Sequence, residues 1–207
     1  MSEVKTNKLT AATGTAITLG DSGDTFTVPS GATLAVASGA TVTNSGTASG
    51  FGLFSSYAIL REEQTSGTNS QSANGNPSAG TWYTRVINVE IDPSSFVTLA
   101  SNQFTLAAGD YLISWWAQAG HGMGGNQTRL YDVTGTAVVT NGYGSGETDG
   151  TRAETRHSVG TVRVSPSGSN VYRVEHRVKG AESWDTMGMA QSLGTEVYLE
   201  CIIYKEA

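Results

Sequence analysis

Apolar and polar residues alternate along this chain in short runs, and no convincing amphipathic helix is found. The first runs are set in a repeat. Ser22-Gly23, Ser30-Gly31, Ser38-Gly39 and Ser45-Gly46 follow one another at spacings of 8, 8 and 7 residues. Between them lie Asp24-Thr-Phe-Thr-Val28, Ala32-Thr-Leu-Ala-Val36 and Ala40-Thr-Val-Thr43. A fixed period marks a repeat architecture, here a turn and one short strand per unit. Phe26, Val28, Leu34, Val36 and Val42 share one face of such strands, Thr and Ala the other. Units this small bury too little apolar surface to form a core, and short isolated strands expose their edges. The pattern therefore predicts that further copies of the chain supply the partners, as a thin threefold β stalk.

After Phe51 the runs lengthen. Strands are predicted over 57–61, 82–91, 97–99, 103–106, 110–118, 128–133, 136–140, 155–164, 171–178 and 196–204. Compact turns such as Thr134-Gly135 and Ser165-Pro-Ser-Gly-Ser-Asn170 join some of them. Many short strands punctuated by turn signals predict an all-β antiparallel sandwich or barrel. In 171–178, Tyr172, Val174, His176 and Val178 face a core, while Arg173, Glu175 and Arg177 face out. Strands 110–118 and 196–204 are apolar on both faces, whereas an antiparallel sandwich ordinarily leaves one face wet. One sheet is thus expected to meet another subunit, with Leu112, Trp116, Tyr198, Ile202 and Tyr204 as interface candidates.

Length and pattern divide the chain into a polar lead-in at 1–13, the repeat at 14–52 and a head at 53–207. The net charge of −6 excludes a general basic surface for nucleic acid. Cys201 is the only cysteine, so no internal disulfide framework forms, and its strand pattern makes it a small core residue. Met1-Ser-Glu-Val-Lys5 opens no apolar segment, so synthesis in the cytoplasm without a signal peptide is expected. The longest apolar run is far below the roughly 20 residues of a membrane helix, so no membrane insertion is expected.

Several of these segments carry a resemblance. Gln103-Phe-Thr-Leu-Ala-Ala-Gly-Asp-Tyr-Leu-Ile113 resembles a strand corner of TNF-like and complement-type globular heads. The hairpin Leu130–Val138 and the final strand Val197–Tyr204 look like two further strands of those heads. The repeat, with Gly20-Asp-Ser-Gly-Asp-Thr-Phe-Thr-Val-Pro-Ser-Gly-Ala-Thr33 before such a head, resembles phage tail-fibre proteins. The resemblance implies a homotrimer with a β-helix-like stalk and an eight-stranded jelly-roll head. It implies a place on a virion, in a tail or head fibre, and contact with other virion proteins through residues 1–13. It implies a non-catalytic role in binding a host surface receptor, glycan or protein. A purely structural head-fibre or decoration protein is the alternative.

Strand direction alternates in an antiparallel sandwich, so its connections sort into two ends. The long ones, about 62–81, 119–127, 141–154 and 179–195, fall together at one end. The short ones, about 107–110, 134–135 and 165–170, fall at the other. Binding residues sit on loops held by a rigid scaffold, which makes the long-loop end the expected contact surface. Its candidates are Trp184 and Tyr143 for stacking, with His121, Asn126, Glu147, Asp149 and Asp185 for hydrogen bonds. Catalysis has little support: no HExxH, GxSxG, CxxC or phosphate-loop motif occurs, and the three histidines are scattered. His157 and Ser158 are strand neighbours and point to opposite faces. No cofactor and no bound metal are implied.

Overall fold

Side-chain alternation organises most of the architecture. The structure, a computed structural model, describes residues 14, 23–41, 43, 53–71, 77–120, 124–146, 156–180 and 187–206. The chain divides into two compact units, Met1–Thr47 and Ala48–Ala207. The lead-in at 1–13 lies outside the described residues.

In the first unit the eight-residue period is visible as a repeated turn. The Ala32 and Ala40 amides donate to the carbonyls of Pro29 and Ala37, each at 3.0 Å. Gly31 and Gly39 occupy the third position of these turns with φ of 83° and 84°. A type II turn needs positive φ there, which glycine adopts without a Cβ clash. Between the turns no described residue joins a β ladder. The strands expected there do not form within one chain, and Phe26 and Leu34 remain 67% and 66% exposed.

The second unit contains eleven strands among the described residues: β1 Phe54–Gln64, β2 Tyr83–Thr84, β3 Val89–Ile91, β4 Val97–Ala100, β5 Gln103–Leu106, β6 Tyr111–Ala119, β7 Asn126–Asp132, β8 Ala137–Asn141, β9 Arg156–Val164, β10 Asn170–Val178 and β11 Glu196–Glu206. They form two antiparallel sheets, β3-β1-β11-β6-β9 and β4-β5-β10-β7-β8, with β2 added to β10. With the short β2, β3 and β4 set aside, β1-β11-β6-β9 faces β5-β10-β7-β8. That is the two-sheet order of an eight-stranded jelly roll. No helix occurs among the described residues.

The core lies between the sheets, where Leu60, Phe104, Ile113, Trp115, Leu130, Val174, Leu199 and Ile203 are buried. Cys201 is buried with them as expected, and burial followed by the nearby Glu200 charge pushes its thiol up to about 12. Trp115 pairs with Gly160 across β6 and β9, and its indole lies over the space a side chain at 160 would fill. The indole N–H donates to Thr128 Oγ1 at 2.8 Å, tying one sheet to the other.

Two expectations are corrected. The single strand at 82–91 is two short ones: β2 pairs with β10 and β3 with β1, so the chain crosses from sheet to sheet between them. Tyr198, expected on the outer face with Ile202 and Tyr204, is inside. A register shift pairs Glu62 with Leu199 but Glu63 with Val197, and the extra residue turns inward with Leu199.

The connections sort as their lengths indicate. Gly109 N–H donates to Pro166 O at 3.1 Å and Glu206 N–H to Asp110 O at 2.9 Å, gathering short connections where β1 begins. At the opposite end Ser70 N–H donates to Gly188 O at 3.1 Å and Lys179 N–H to Gly125 O at 2.7 Å.

Replacing Gly160 with Ala places a Cβ inside the Trp115 ring. The expected loss is about 3 kcal/mol, at the upper end for overpacking, read as a lowered denaturation midpoint. Gly168→Ala, where a Cβ meets nothing within 4 Å, serves as the control.

Candidate functional site

The alternation of β1 puts Ala58, Leu60 and Glu62 on its inner face. The crossing after β2 brings Arg85 inward to meet Glu62, and both side chains are fully buried. Arg85 Nη2 donates to Glu62 Oε2 at 2.8 Å and to Tyr198 O at 3.0 Å. Its Nη1 donates to Met187 O at 2.6 Å. The other Glu62 oxygen accepts from Ser70 Oγ and from Gln71 N–H, each at 2.7 Å. Buried charge is tolerated only with such pairing and hydrogen bonding. Arg85 Nε alone of the guanidinium nitrogens has no partner among the described residues.

The network continues through His176, also fully buried. Arg85 Nη1 lies 3.5 Å from Nδ1, and Nε2 lies 3.0 Å from Asn126 Oδ1. A neutral imidazole protonated on Nε2 suits both contacts, accepting from the guanidinium and donating to the amide oxygen. Burial, and then the Arg85 charge, hold this histidine well below its ordinary range. Asn126 Nδ2 donates to Ser145 Oγ at 2.7 Å, and Ser145 Oγ donates to His157 O at 2.9 Å. One chain of polar groups, buried at its centre, thus reaches segments of all four long connections: Ser70 and Gln71, Asn126, Ser145, and Met187.

Above this layer Tyr143 is 77% exposed. Its backbone is fixed: its N–H donates to Val159 O at 2.6 Å, and its carbonyl accepts from Ser158 Oγ at 2.6 Å. Asn126, expected to meet a ligand, is buried and uses its amide on His176 and Ser145. The other five expected contact residues, His121, Glu147, Asp149, Trp184 and Asp185, lie outside the described residues. A cleft of about 660 Å³ has Asn126, Gln127, Gly144, Ser145, Arg177 and Lys179 among its lining residues, Gly144 being the residue after Tyr143.

The outer face of the β10 sheet carries an arginine–aromatic ladder that sequence reading left unmarked. The Arg129 guanidinium lies 4.1 Å from the Trp82 ring centroid, Arg177 4.6 Å from the same ring, and Arg173 4.9 Å from Tyr131. Arg129 and Arg173 both pair with Glu175. The signal available was the alternation Arg173-x-Glu175-x-Arg177-x-Lys179.

The outer face of the β6 sheet carries the interface candidates Leu112, Trp116, Ile202 and Tyr204, each partly exposed. Tyr57, Ile91 and Val159 extend it, and each is at least 40% exposed. A polar centre interrupts the patch: Arg61 pairs with Glu200 at 2.6 Å, and Trp116 N–H donates to Glu200 at 3.4 Å. Among the described residues no group of three or more His, Cys, Asp and Glu could hold a metal ion.

No family model and no curated protein matches the chain. Solved structures similar to it include murine APRIL, at TM-score 0.47 and 8% identity over 72% of this chain and 98% of that one. The zebrafish complement 1qA globular domain is similar at TM-score 0.44 and 12% identity, over 73% and 96%. Eiger TNF from S. frugiperda is similar at TM-score 0.45 and 9% identity, over 73% and 92%. The jelly-roll assignment rests on the strand order given above.

Arg85→Met leaves the Glu62 carboxylate buried without its ion-pair partner and is expected to cost about 3–5 kcal/mol, while Glu62→Leu combined with it costs less than the single change. Chemical denaturation of both variants checks this. His176 sets a pH dependence. The unfolded imidazole takes up a proton near pH 6.5, while the folded one stays neutral. Stability is therefore full above that pH and falls as pH drops below it, by about 1.4 kcal/mol one unit lower. His176→Gln is expected to flatten that slope in denaturation curves measured across this range.

Proposed function

We propose that this chain is a non-catalytic fibre protein of a phage virion that binds a host surface receptor through the long-loop end of its head, as a homotrimer. The observation that carries the reading is Tyr143, a highly exposed aromatic ring on a backbone fixed at two points. It stands at the end where the long connections gather. A rigid exposed ring offers contact area with little entropy to lose, which suits a recognition surface.

The homotrimer draws support from both units. In the first, Phe26 and Leu34 repeat at the period of the turns and stay exposed in a single chain. Copies of the chain, in the same register, are the partners such a repeat fits. In the second, the broken apolar face with Trp116, Ile202 and Tyr204 has the aromatic and aliphatic character of a subunit contact. Three identical tips on one assembly convert weak contacts into avidity. Residues 1–13 then remain for contact with other virion proteins.

Light scattering on the whole chain is expected to give three times the chain mass. The same result after removal of residues 1–50 assigns the main contact to the head, and a monomer in both contradicts the fibre reading. Tyr143→Ala is expected to keep that mass and lose cell adsorption by about tenfold or more, the equivalent of 1.4 kcal/mol. Unchanged adsorption by this variant favours a purely structural fibre or decoration protein.

A further inference from the structure

We infer that the cleft beside Tyr143 is a subsite for an acidic saccharide, a sugar bearing a carboxylate, held by Arg177 and Lys179. This rests on the receptor-binding reading above and names the ligand class of that surface.

Charge is the first argument. The chain as a whole is acidic at −6, yet this cleft has two cations and no carboxylate among its described lining residues. The ladder on the same sheet shows the contrast. Arg129 and Arg173 are both satisfied by Glu175. Arg177, next along the outer face, donates to the neutral Gln127 amide at 3.1 Å and lies against Trp82. Lys179 continues the line, and among the described residues neither cation meets an acid. Both side chains are exposed. The positive charge that the sheet leaves unmatched therefore stands at the mouth of the cleft.

Shape and chemistry select the ligand. Gly144 and its glycine neighbours leave a broad floor free of large side chains. Gln127 and Ser145 line it with their polar groups already bonded within the head, Gln127 to Gly142 O and Arg177, and Ser145 to Asn126 and His157 O. That leaves the Arg177 and Lys179 cations as its unmatched charges, and the exposed Tyr143 precedes the lining residue Gly144. A pyranose ring presents C–H groups to an aromatic face and hydroxyls to amides. A carboxylate on that ring fits the guanidinium fork of Arg177 and the Lys179 ammonium in charge-assisted bonds. An acidic peptide would share the charge match, so poly-glutamate is the competing ligand that the test must separate from a sugar.

A glycan array tests the inference with the full-length protein. It carries sialylated and uronate-bearing glycans, neutral counterparts of the same backbones, and poly-glutamate. Wild type is expected to be retained on the acidic glycans and not on their neutral counterparts, with retention weakening as salt rises. Arg177→Gln with Lys179→Gln is expected to lower that retention by at least about tenfold, the effect of losing even one of its charge-assisted hydrogen bonds. Circular dichroism and light scattering establish that the double variant keeps its fold and mass. Retention of this folded double variant equal to wild type overturns the inference, as does equal retention of wild type on poly-glutamate. Wild-type retention on neutral glycans alone, abolished by Tyr143→Ala but not by the charge changes, overturns the acidic ligand and leaves the receptor-binding reading standing. Wild-type retention on no glycan overturns the acidic-saccharide subsite, and cell adsorption by the same preparation then decides whether the receptor is a protein or the receptor reading falls as well.

Discussion

The buried pair of Glu62 and Arg85 is the constraint on which the long-loop end of the head depends. Two opposite charges out of water gain little net stability over a well-packed apolar pair. Their consequence here is geometric. The carboxylate has a second oxygen to satisfy, and Ser70 with the Gln71 amide does so. The guanidinium has further N–H groups to satisfy, and the carbonyls of Met187 and Tyr198 accept them. These partners come from three parts of the chain, Ser70-Gln71, Met187 and Tyr198, so satisfying two buried charges fixes where those segments run. Apolar side chains at 62 and 85 would fill the volume without specifying these backbone positions.

His176 extends the same logic toward the cleft. It is fully buried and flanked by a permanent cation, and both favour the neutral imidazole. A neutral imidazole with one N–H gives Asn126 a donor on one side, and Asn126 then donates to Ser145 on the other. The direction of hydrogen bonding is therefore set from Arg85 outward, and the cleft floor inherits it. Asn126 lines the cleft as part of this support, and its amide is committed inside the head. Gln127, Arg177 and Lys179 line the same cleft, and the two cations are exposed there.

Much of the head was legible because β strands declare themselves by alternation. Strand 103–106 agrees in both bounds, and the two-faced strands β6 and β11 lie at the centre of one sheet. His176 was legible as a core-facing histidine because its neighbours Tyr172, Val174 and Val178 alternate with it. Glu62 was missed because a charged residue after Arg61 reads as the end of a strand, although it continues the inward series Ala58 and Leu60. Arg85 was missed for a related reason: a sheet-to-sheet crossing has no period, and 82–91 reads as one strand until its two ladders are seen. Tyr198 was misplaced by a bulge, which shifts the alternation by one without any local sequence mark. The arginine–aromatic ladder brings together Trp82, Arg129, Tyr131 and Arg173 from three separate segments, and their proximity follows from strand order alone.

The two units meet the problem of apolar surface in opposite ways. The head closes two sheets on one another, and its residual apolar face is interrupted by Arg61 and Glu200, whose pairing is satisfied within one chain. Such a face tolerates water or a partner. The repeat has no second layer: glycine turns with φ near 84° return at the eight-residue period, and the residues between them form no ladder in the described chain. Loop closure between successive turns is short and costs little entropy, but each turn gains only one hydrogen bond and covers no apolar side chain. The sequence pattern that spaces Phe26, Val28, Leu34 and Val36 is the pattern on which the proposed association between chains rests. On the function proposed above, association in register at the repeat would present several copies of the same head, the arrangement in which weak single-site contacts add up to avidity.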